Sequence, residues 1–206
     1  MTKGTYHHGD LRRALLQAAA DAIAEHGVAA ISMRDLARRA GVSHAAPTHH
    51  FGDKAGLLTA FAAQGYDELA KALSTSRLAS NSFLELGVTY VRFAMTRRAH
   101  FEVMFRPDLY HADDPELLRA KARSADALYA GVADLPDGLR HRGETAERAR
   151  GGTPDSAPSD IRQAGQAAWS LAHGFATLWL SGAFPDRDRD PEALARMIFG
   201  QLKVIQ

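Results

Sequence analysis

Chemistry in this chain has to come from histidine, carboxylate and hydroxyl groups, because its 206 residues include ten histidines and no cysteine. Without thiols there is no disulfide framework and no thiolate metal site. The adjacent pairs His7-His8 and His49-His50 would point about 100° apart on a helix, so neither can chelate as a pair. The sequence holds no H-E-x-x-H zinc helix, no phosphate-binding glycine loop and no nucleophile elbow. His111, Asp113 and Asp114 could together bind a cation, but they read better as a solvated loop entering a helix N-cap. His173 lies in an apolar helix, where a histidine with one hydrogen bond is more often a core or interface residue than a ligand or base. These patterns predict no metal, no cofactor and no catalytic residue. A different chemistry suits His44, Ala45, Thr48 and His49, which are small or polar groups that one helix would turn outward. Ala45 can touch a thymine methyl in a DNA major groove, and Thr48 and a histidine can donate or accept at base edges.

Such a reader needs a rigid mount, and the run from Ser32 to Lys54, SMRDLARRAGVSHAAPTHHFGDK, predicts one. Ser32 and Asp35 have capping-box spacing at the start of a helix. Leu36, Ala37 and Ala40 give that helix an apolar face, and Gly41 ends it. Val42 is an apolar plug, and Ser43 is expected to cap the second helix. Pro47 is tolerated only near that helix's N-terminus, where few amide hydrogens have intrahelical partners. Two helices joined this closely pack at a steep angle, which is helix-turn-helix geometry. Before them, Asp10 is expected to cap a first helix with the stripe Leu11, Leu15, Ala18, Ala19, Ala22 and Ile23, stopped at Gly27. After them, Phe51 anchors, Gly52 and Asp53 turn and cap, and Lys54 sits beside free amide hydrogens where a phosphate would fit. Phosphate contact is assigned to Ser32, Arg34, Ser43, His50 and Lys54. The arm from Thr2 to His8 could enter the minor groove, but such arms are more often disordered.

Residues Tyr6 to Leu58, about a quarter of the chain, resemble the DNA-binding domain of the tetracycline-repressor (TetR) family of bacterial regulators. The AEHG end of the first helix, the ISMRDLARRAGVS run and HHFGDKAGLL carry the resemblance. The opening YHHGDLRRALLQAA and the later WSLAHGFATLWLSG resemble one subgroup, whose C-terminal domain has a Trp-His-Gly signature, here Trp169, His173 and Gly174. One departure is Thr48, where many members place an aromatic residue that contacts a phosphate. The resemblance implies an all-α protein: a three-helix DNA-binding domain over residues 1–56, then a helical ligand-binding and dimerisation domain over 57–206.

Charge supports DNA binding only modestly. Residues 1–56 carry seven Lys and Arg against five Asp and Glu, a balance of +2 in a chain whose total is +1. The case therefore rests on geometry, and non-specific DNA binding should be weak. No apolar run approaches the roughly 18 residues of a membrane span, and the N-terminus lacks a signal-peptide core, so a cytoplasmic protein is expected.

The remainder reads as helices: Asp53 to about Arg77, one opened by Ser82 with Glu85, a short segment from His100 to Arg106, one from Pro115 to about Asp134, Ser159 to Leu180, and one from Pro191. Residues 136–158 are polar and rich in Gly and Pro, and read as a loop. The last two helices carry more apolar surface than one small core needs. Ala172, Gly174, Phe175, Ala176, Trp179, Leu194, Met197, Ile198 and Leu202 either pack within the chain or form a two-fold interface, and the family resemblance favours the interface. Phe93, Phe101, Met104, Phe105, Tyr129, Trp169 and His173 are either core or the lining of an apolar pocket. A pocket would take a hydrophobic or aromatic effector. The expected function is a homodimeric regulator, more a repressor than an activator, released from a palindromic operator on double-stranded DNA by such a ligand. A DNA-binding architectural protein without a ligand is the alternative, and a small helical enzyme ranks behind both.

Overall fold

The computed structural model describes residues 8–80, 82–133, 159–185 and 188–201. Leu202, the arm up to His7 and the expected loop 136–158 lie outside them. Among the described residues there are nine α-helices and no strand. They are α1 (His8–His26), α2 (Met33–Arg39), α3 (Ala46–Phe51), α4 (Lys54–Ser80), α5 (Phe83–Thr96), α6 (Arg98–Met104), α7 (Pro115–Ala133), α8 (Ser159–Leu180) and α9 (Pro191–Gln201). Short 3₁₀ turns occupy Val28–Ala30 and Pro107–Leu109. Packing divides the chain into two compact units: residues 1–67 with 97–121, and residues 68–96 with 122–206. The division differs from the expected 1–56 and 57–206, because the first unit also takes in the first half of α4, α6 and the start of α7.

The first unit is built on the apolar stripe of α1. Leu16, Ala19, Ala22 and Ile23 pack with Val28, Ile31, Leu36, Leu57, Leu58 and Phe61 in one buried cluster, which Val103, Tyr110 and Leu117 close. Glycines of α4 allow close packing against its neighbours. An added Cβ at Gly65 of α4 would lie 2.6 Å from Met104 Sδ of α6, and one at Gly56 would lie 2.0 Å from the Phe51 carbonyl oxygen. The carbonyl of Met104 accepts two hydroxyls, from Tyr66 at 2.8 Å and Tyr110 at 2.7 Å, which satisfies the open C-terminal end of α6. Phe61 stacks on the buried His100 ring at 3.9 Å.

The second unit is built on α5, against which α8 and α9 pack. Leu86, Val88, Val91 and Ala94 are buried with Phe175, Ala176, Leu194 and Phe199. An added Cβ at Gly87 would meet the Phe199 ring at 3.1 Å, and one at Gly131 would meet Leu86 Cδ1 at 2.0 Å. Two bidentate ion pairs tie α5 to α9: Arg92 to Glu192 at 2.8 and 2.6 Å, and Arg196 to Glu85 at 2.8 and 2.9 Å. The paired charges alternate along both helices, so a slip in register would bring like charges together. Half-exposed side chains limit what each pair contributes to stability.

Several helix ends match the sequence reading. Asp114 Oδ1 accepts the Glu116 and Leu117 amides at 2.9 Å, Asp190 Oδ2 accepts that of Ala193 at 2.9 Å, and Asp53 Oδ1 accepts that of Gly56 at 2.8 Å. Others differ. The first helix begins at His8, which puts Asp10 inside the first turn, where it accepts a bond from Arg13 at 3.0 Å. Ser32 holds the extended N-cap backbone but makes no side-chain cap bond, and Asp35 turns instead to Arg38 and Arg39, each at 2.6 Å. Ser43 does not cap α3; its carbonyl accepts the Ala46 amide at 3.0 Å and the helix starts at Ala46. Pro47 explains the shift. A helix capped at Ser43 would need an amide hydrogen from Pro47 to begin its ladder, and starting at Ala46 moves Pro47 into the first turn where none is needed.

Candidate nucleic-acid interface

The corner between α2 and α3 is set by backbone bonds. Gly41, at φ 66°, donates its amide to the Arg38 carbonyl at 3.2 Å, and Val42 donates to Ala37 at 3.0 Å. This paired closure is the Schellman motif, and its left-handed residue is one that glycine adopts without steric cost. Beyond it, Pro47 is buried and Phe51 half-buried, so one face of α3 is held against the unit. Arg12 of α1 lies 5.9 Å from the centre of the Phe51 ring. The other face is free: His44, Ala45, Thr48 and His49 are all exposed. The four expected base contacts are therefore on the surface, His44 and Ala45 in the turn ahead of the helix and Thr48 and His49 on the helix itself.

The phosphate candidates divide. Ser32, Arg34 and Ser43 are exposed, and His50 is half-buried. Lys54 is also half-buried, and its amino group donates to the Ala29 carbonyl at 3.2 Å. An ammonium has three donors, so that bond orients Lys54 and leaves donors for an anion. The other cations near the corner are engaged. Arg39 bridges Glu25 at 2.8 Å and Asp35 at 2.6 Å, fastening α2 to the end of α1. Hydrogen bonds from Arg39 hold both carboxyls below their ordinary range, and they in turn keep the guanidinium firmly charged. Spacing from Asp35 to Arg39 was visible in the sequence as an i,i+4 pair; the link to Glu25 was not. A cleft of about 410 Å³ lies beside the start of α4, lined among others by Arg12, His50, Asp53, His111 and Glu116. His111 Nε2 is 3.7 Å from Asp53 Oδ1 there, while Asp113 and Asp114 form no metal-binding group with it among the described residues.

The expected pocket residues fall in both units. Phe101, Met104 and Phe105 belong to the first, where Phe101 and Met104 are buried and Phe105 meets Phe101 edge-on at 5.1 Å. Phe93, Tyr129, Trp169 and His173 belong to the second. Trp169 and His173 are joined through Tyr90 of α5. The Trp169 indole donates to the Tyr90 hydroxyl at 3.2 Å, and that hydroxyl is 2.9 Å from His173 Nδ1. Burial pushes the Tyr90 hydroxyl upward and the His173 imidazole downward, so both are neutral at pH 7. Trp169 and His173 are one helical turn apart, a legible pairing; Tyr90 is remote in sequence.

Of the interface candidates, Ala172, Phe175, Ala176 and Leu194 are buried within their own chain, and Gly174, Trp179 and Ile198 are half-buried. Met197 is 48 % exposed and Leu178 50 %. Among the described residues, an added Cβ at Gly174 or Gly200 meets nothing within 4 Å.

Comparison with known proteins agrees with this architecture. Residues 15–61 match the family model described as bacterial regulatory proteins, tetR family, and residues 83–202 match the tetracyclin repressor-like C-terminal domain. A search of curated proteins finds no match. Among solved structures, a protein of unknown function from Rhodococcus sp. RHA1 is 31 % identical, with a TM-score of 0.71 over 95 % of each chain. The TetR family transcriptional regulator PfmR from Thermus thermophilus is 21 % identical, with a TM-score of 0.62 over 91 % of this chain and 95 % of its own. The multidrug binding protein EbrR, complexed with imidazole, is 18 % identical, with a TM-score of 0.58 over 98 % of this chain and 96 % of its own. The chain belongs to the TetR family of bacterial regulatory proteins. It is an all-α, DNA-binding transcriptional regulator with an N-terminal helix-turn-helix domain and a C-terminal helical domain. No described helix is long and apolar enough to cross a membrane.

The neutral His173 has a measurable consequence. Its folded value lies below the unfolded one, so protons bind the unfolded chain more readily. Stability is then full above the ordinary histidine value of about 6.5 and declines as pH falls below it. Unfolding midpoints measured from about pH 7.5 down to about pH 5 should fall for the natural chain, and less steeply for His173→Gln.

Proposed function

We propose that this regulator is a homodimeric repressor that reads a palindromic operator through the exposed face of α3 and leaves it when a small hydrophobic or aromatic molecule binds. One observation carries the reading: Pro47 and Phe51 are tucked into the unit while His44, Ala45, Thr48 and His49 face solvent. A helix held on one face and furnished with small polar groups on the other suits a major groove. Arg34 and Lys54, with Ser32, Ser43 and His50, flank that face as phosphate contacts. Two such readers about 34–36 Å apart reach successive half-sites on one side of the duplex. The work is done on double-stranded DNA in the cytoplasm, with no enzymatic step.

The dimer is assigned to the outward side of α8 and α9. Residues that face α5 are already packed, so a partner would meet Gly174, Leu178, Met197 and Gly200, with Trp179 and Ile198 at the margin. Glycine inside a helix costs about 1 kcal/mol relative to alanine. Among the described residues nothing occupies the space at Gly174, which supports the close approach of a second chain there. The effector is assigned to the aromatic residues of the second unit, Phe93, Tyr129, Trp169 and His173, with Tyr90. Reversing operator occupancy from 99:1 to 1:99 requires the ligand to favour the released state by about 5.5 kcal/mol. Ligand dependence separates this reading from an architectural DNA-binding protein, and quenching of Trp169 fluorescence on titration is its direct readout.

Two sets of variants test the assignments. Lys54→Ala should weaken binding to every duplex alike and lower the salt dependence by about one counterion, whereas Thr48→Ala should alter preference at one base pair by about 1–3 kcal/mol. Equal effects of both changes on operator and random DNA, measured by fluorescence anisotropy, would remove the base-contact assignment. Gly174→Leu should leave each chain folded yet shift sedimentation from dimer to monomer. A Gly174→Leu protein that sediments as a dimer would place the interface elsewhere.

A further inference from the structure

We propose that Lys121 is a positioning residue for DNA reading, whose ammonium clamps the first turns of α7 to α4 through the rings of Tyr66 and Tyr110. This role rests on the assignment of α3 and Lys54 to DNA and adds what holds them in register. Residues 97–121 pack in one unit with the helix-turn-helix, although the family model for the DNA-binding domain ends at residue 61. A segment so remote in sequence needs fastenings of its own, and α7 has two.

At its start, the His111 amide donates to Thr59 Oγ1 of α4 at 3.0 Å, and Glu116 lies 3.9 Å from Arg12 of α1. Leu117 and Ala120 are then buried in the same cluster as Leu57 and Phe61 of α4. The second fastening is at Lys121. Tyr66 of α4 and Tyr110 both donate their hydroxyls to the Met104 carbonyl, at 2.8 and 2.7 Å, so two rings from separate segments are pinned to one atom. Lys121 Nζ lies 5.8 Å from the centre of the Tyr66 ring and 5.2 Å from that of Tyr110. Both distances are within the range over which an aromatic face attracts a cation. Among the described residues no carboxylate pairs with this ammonium, and the two rings are what hold it.

Leverage along α4 connects this clamp to the DNA face. Tyr66 and Lys54 belong to one unbroken helix and lie about 18 Å apart along it, at about 1.5 Å per residue. A tilt of about 10° at Tyr66 would displace Lys54 by about 3 Å, more than a hydrogen bond to a phosphate tolerates. The end of α3 moves with the start of α4, because an added Cβ at Gly56 would lie 2.0 Å from the Phe51 carbonyl oxygen. Lys121 therefore acts through α4 and not by touching DNA. Affinity falls in proportion to the fraction of molecules whose reader is held in place. Removing a cation shared by two rings corresponds to a change of about tenfold.

Three full-length variants test the clamp. Lys121→Met and Lys121→Gln keep the stem and remove the charge, whereas Lys121→Arg keeps a cation suited to aromatic faces. The probe is the site that the natural protein selects from a randomised duplex library, titrated by fluorescence anisotropy over a range of salt concentrations. Far-UV circular dichroism confirms that each variant is folded. The neutral variants should bind that site about tenfold more weakly with unchanged salt dependence, and Lys121→Arg should bind within about twofold of the natural chain. Unchanged affinity in folded neutral variants overturns the inference and leaves the DNA-reading assignment standing. A salt dependence lowered by about one counterion also overturns it, because that marks a direct phosphate contact. So does a folded Lys121→Arg variant as weak as the neutral ones. Selection of no site by the natural protein removes the DNA-reading assignment and the inference with it.

Discussion

Two amide hydrogens turned back on the last turn of α2, from Gly41 to Arg38 and from Val42 to Ala37, fix the corner on which the DNA-binding unit depends. Because those bonds consume the open carbonyls of α2, the chain leaves the helix at a set angle instead of fraying. Pro47 then determines where α3 begins, and its burial with Phe51 determines which face is turned outward. The corner is itself tied to α1 by Arg39, whose guanidinium reaches Glu25 and Asp35 together. A rigid mount matters because a helix-turn-helix gains specificity only if its register on the groove is fixed.

Charge is distributed in keeping with that design. Arg13, Arg38 and Arg39 are paired with carboxylates of the same unit. In the second unit the charged pairs Arg92–Glu192 and Arg196–Glu85 sit at the surface and set the register of α5 against α9. The same unit holds the neutral Trp169–Tyr90–His173 chain, in which Tyr90 is buried and Trp169 is 41 % exposed.

Helix ends governed by one strong local preference were legible in the sequence: Gly41 at positive φ, Asp114 and Asp190 as caps, and the limits of α8 at Ser159 and Leu180. Ends governed by competition were not. Asp35 had capping-box spacing from Ser32, yet Arg38 and Arg39 lie within reach on the next turn, and their ion pairs outcompete a cap bond. Ser43 was a plausible cap until Pro47 is asked for a hydrogen it lacks. Tertiary placement was harder still. Periodicity gives α8 one apolar stripe through Trp169, Ala172, His173 and Ala176 and another through Phe175 and Trp179, but neither is buried whole: Ala172 and Ala176 of the first are buried with Phe175 of the second, while Trp169 and Leu178 are exposed. The aromatic residues read as either core or the lining of one pocket come from two units, because composition along the chain carries no record of which distant segments meet.

The central claim is that the outward face of α3 is a sequence-specific DNA reader. Footprinting the purified protein on the DNA flanking its own gene, at moderate salt and with unrelated DNA as competitor, tests it most directly. The account predicts a protected palindrome whose half-sites lie about one helical turn, roughly 10–10.5 base pairs, apart or a multiple of it. Protection no stronger than on the competitor, there and across the genome, would contradict it.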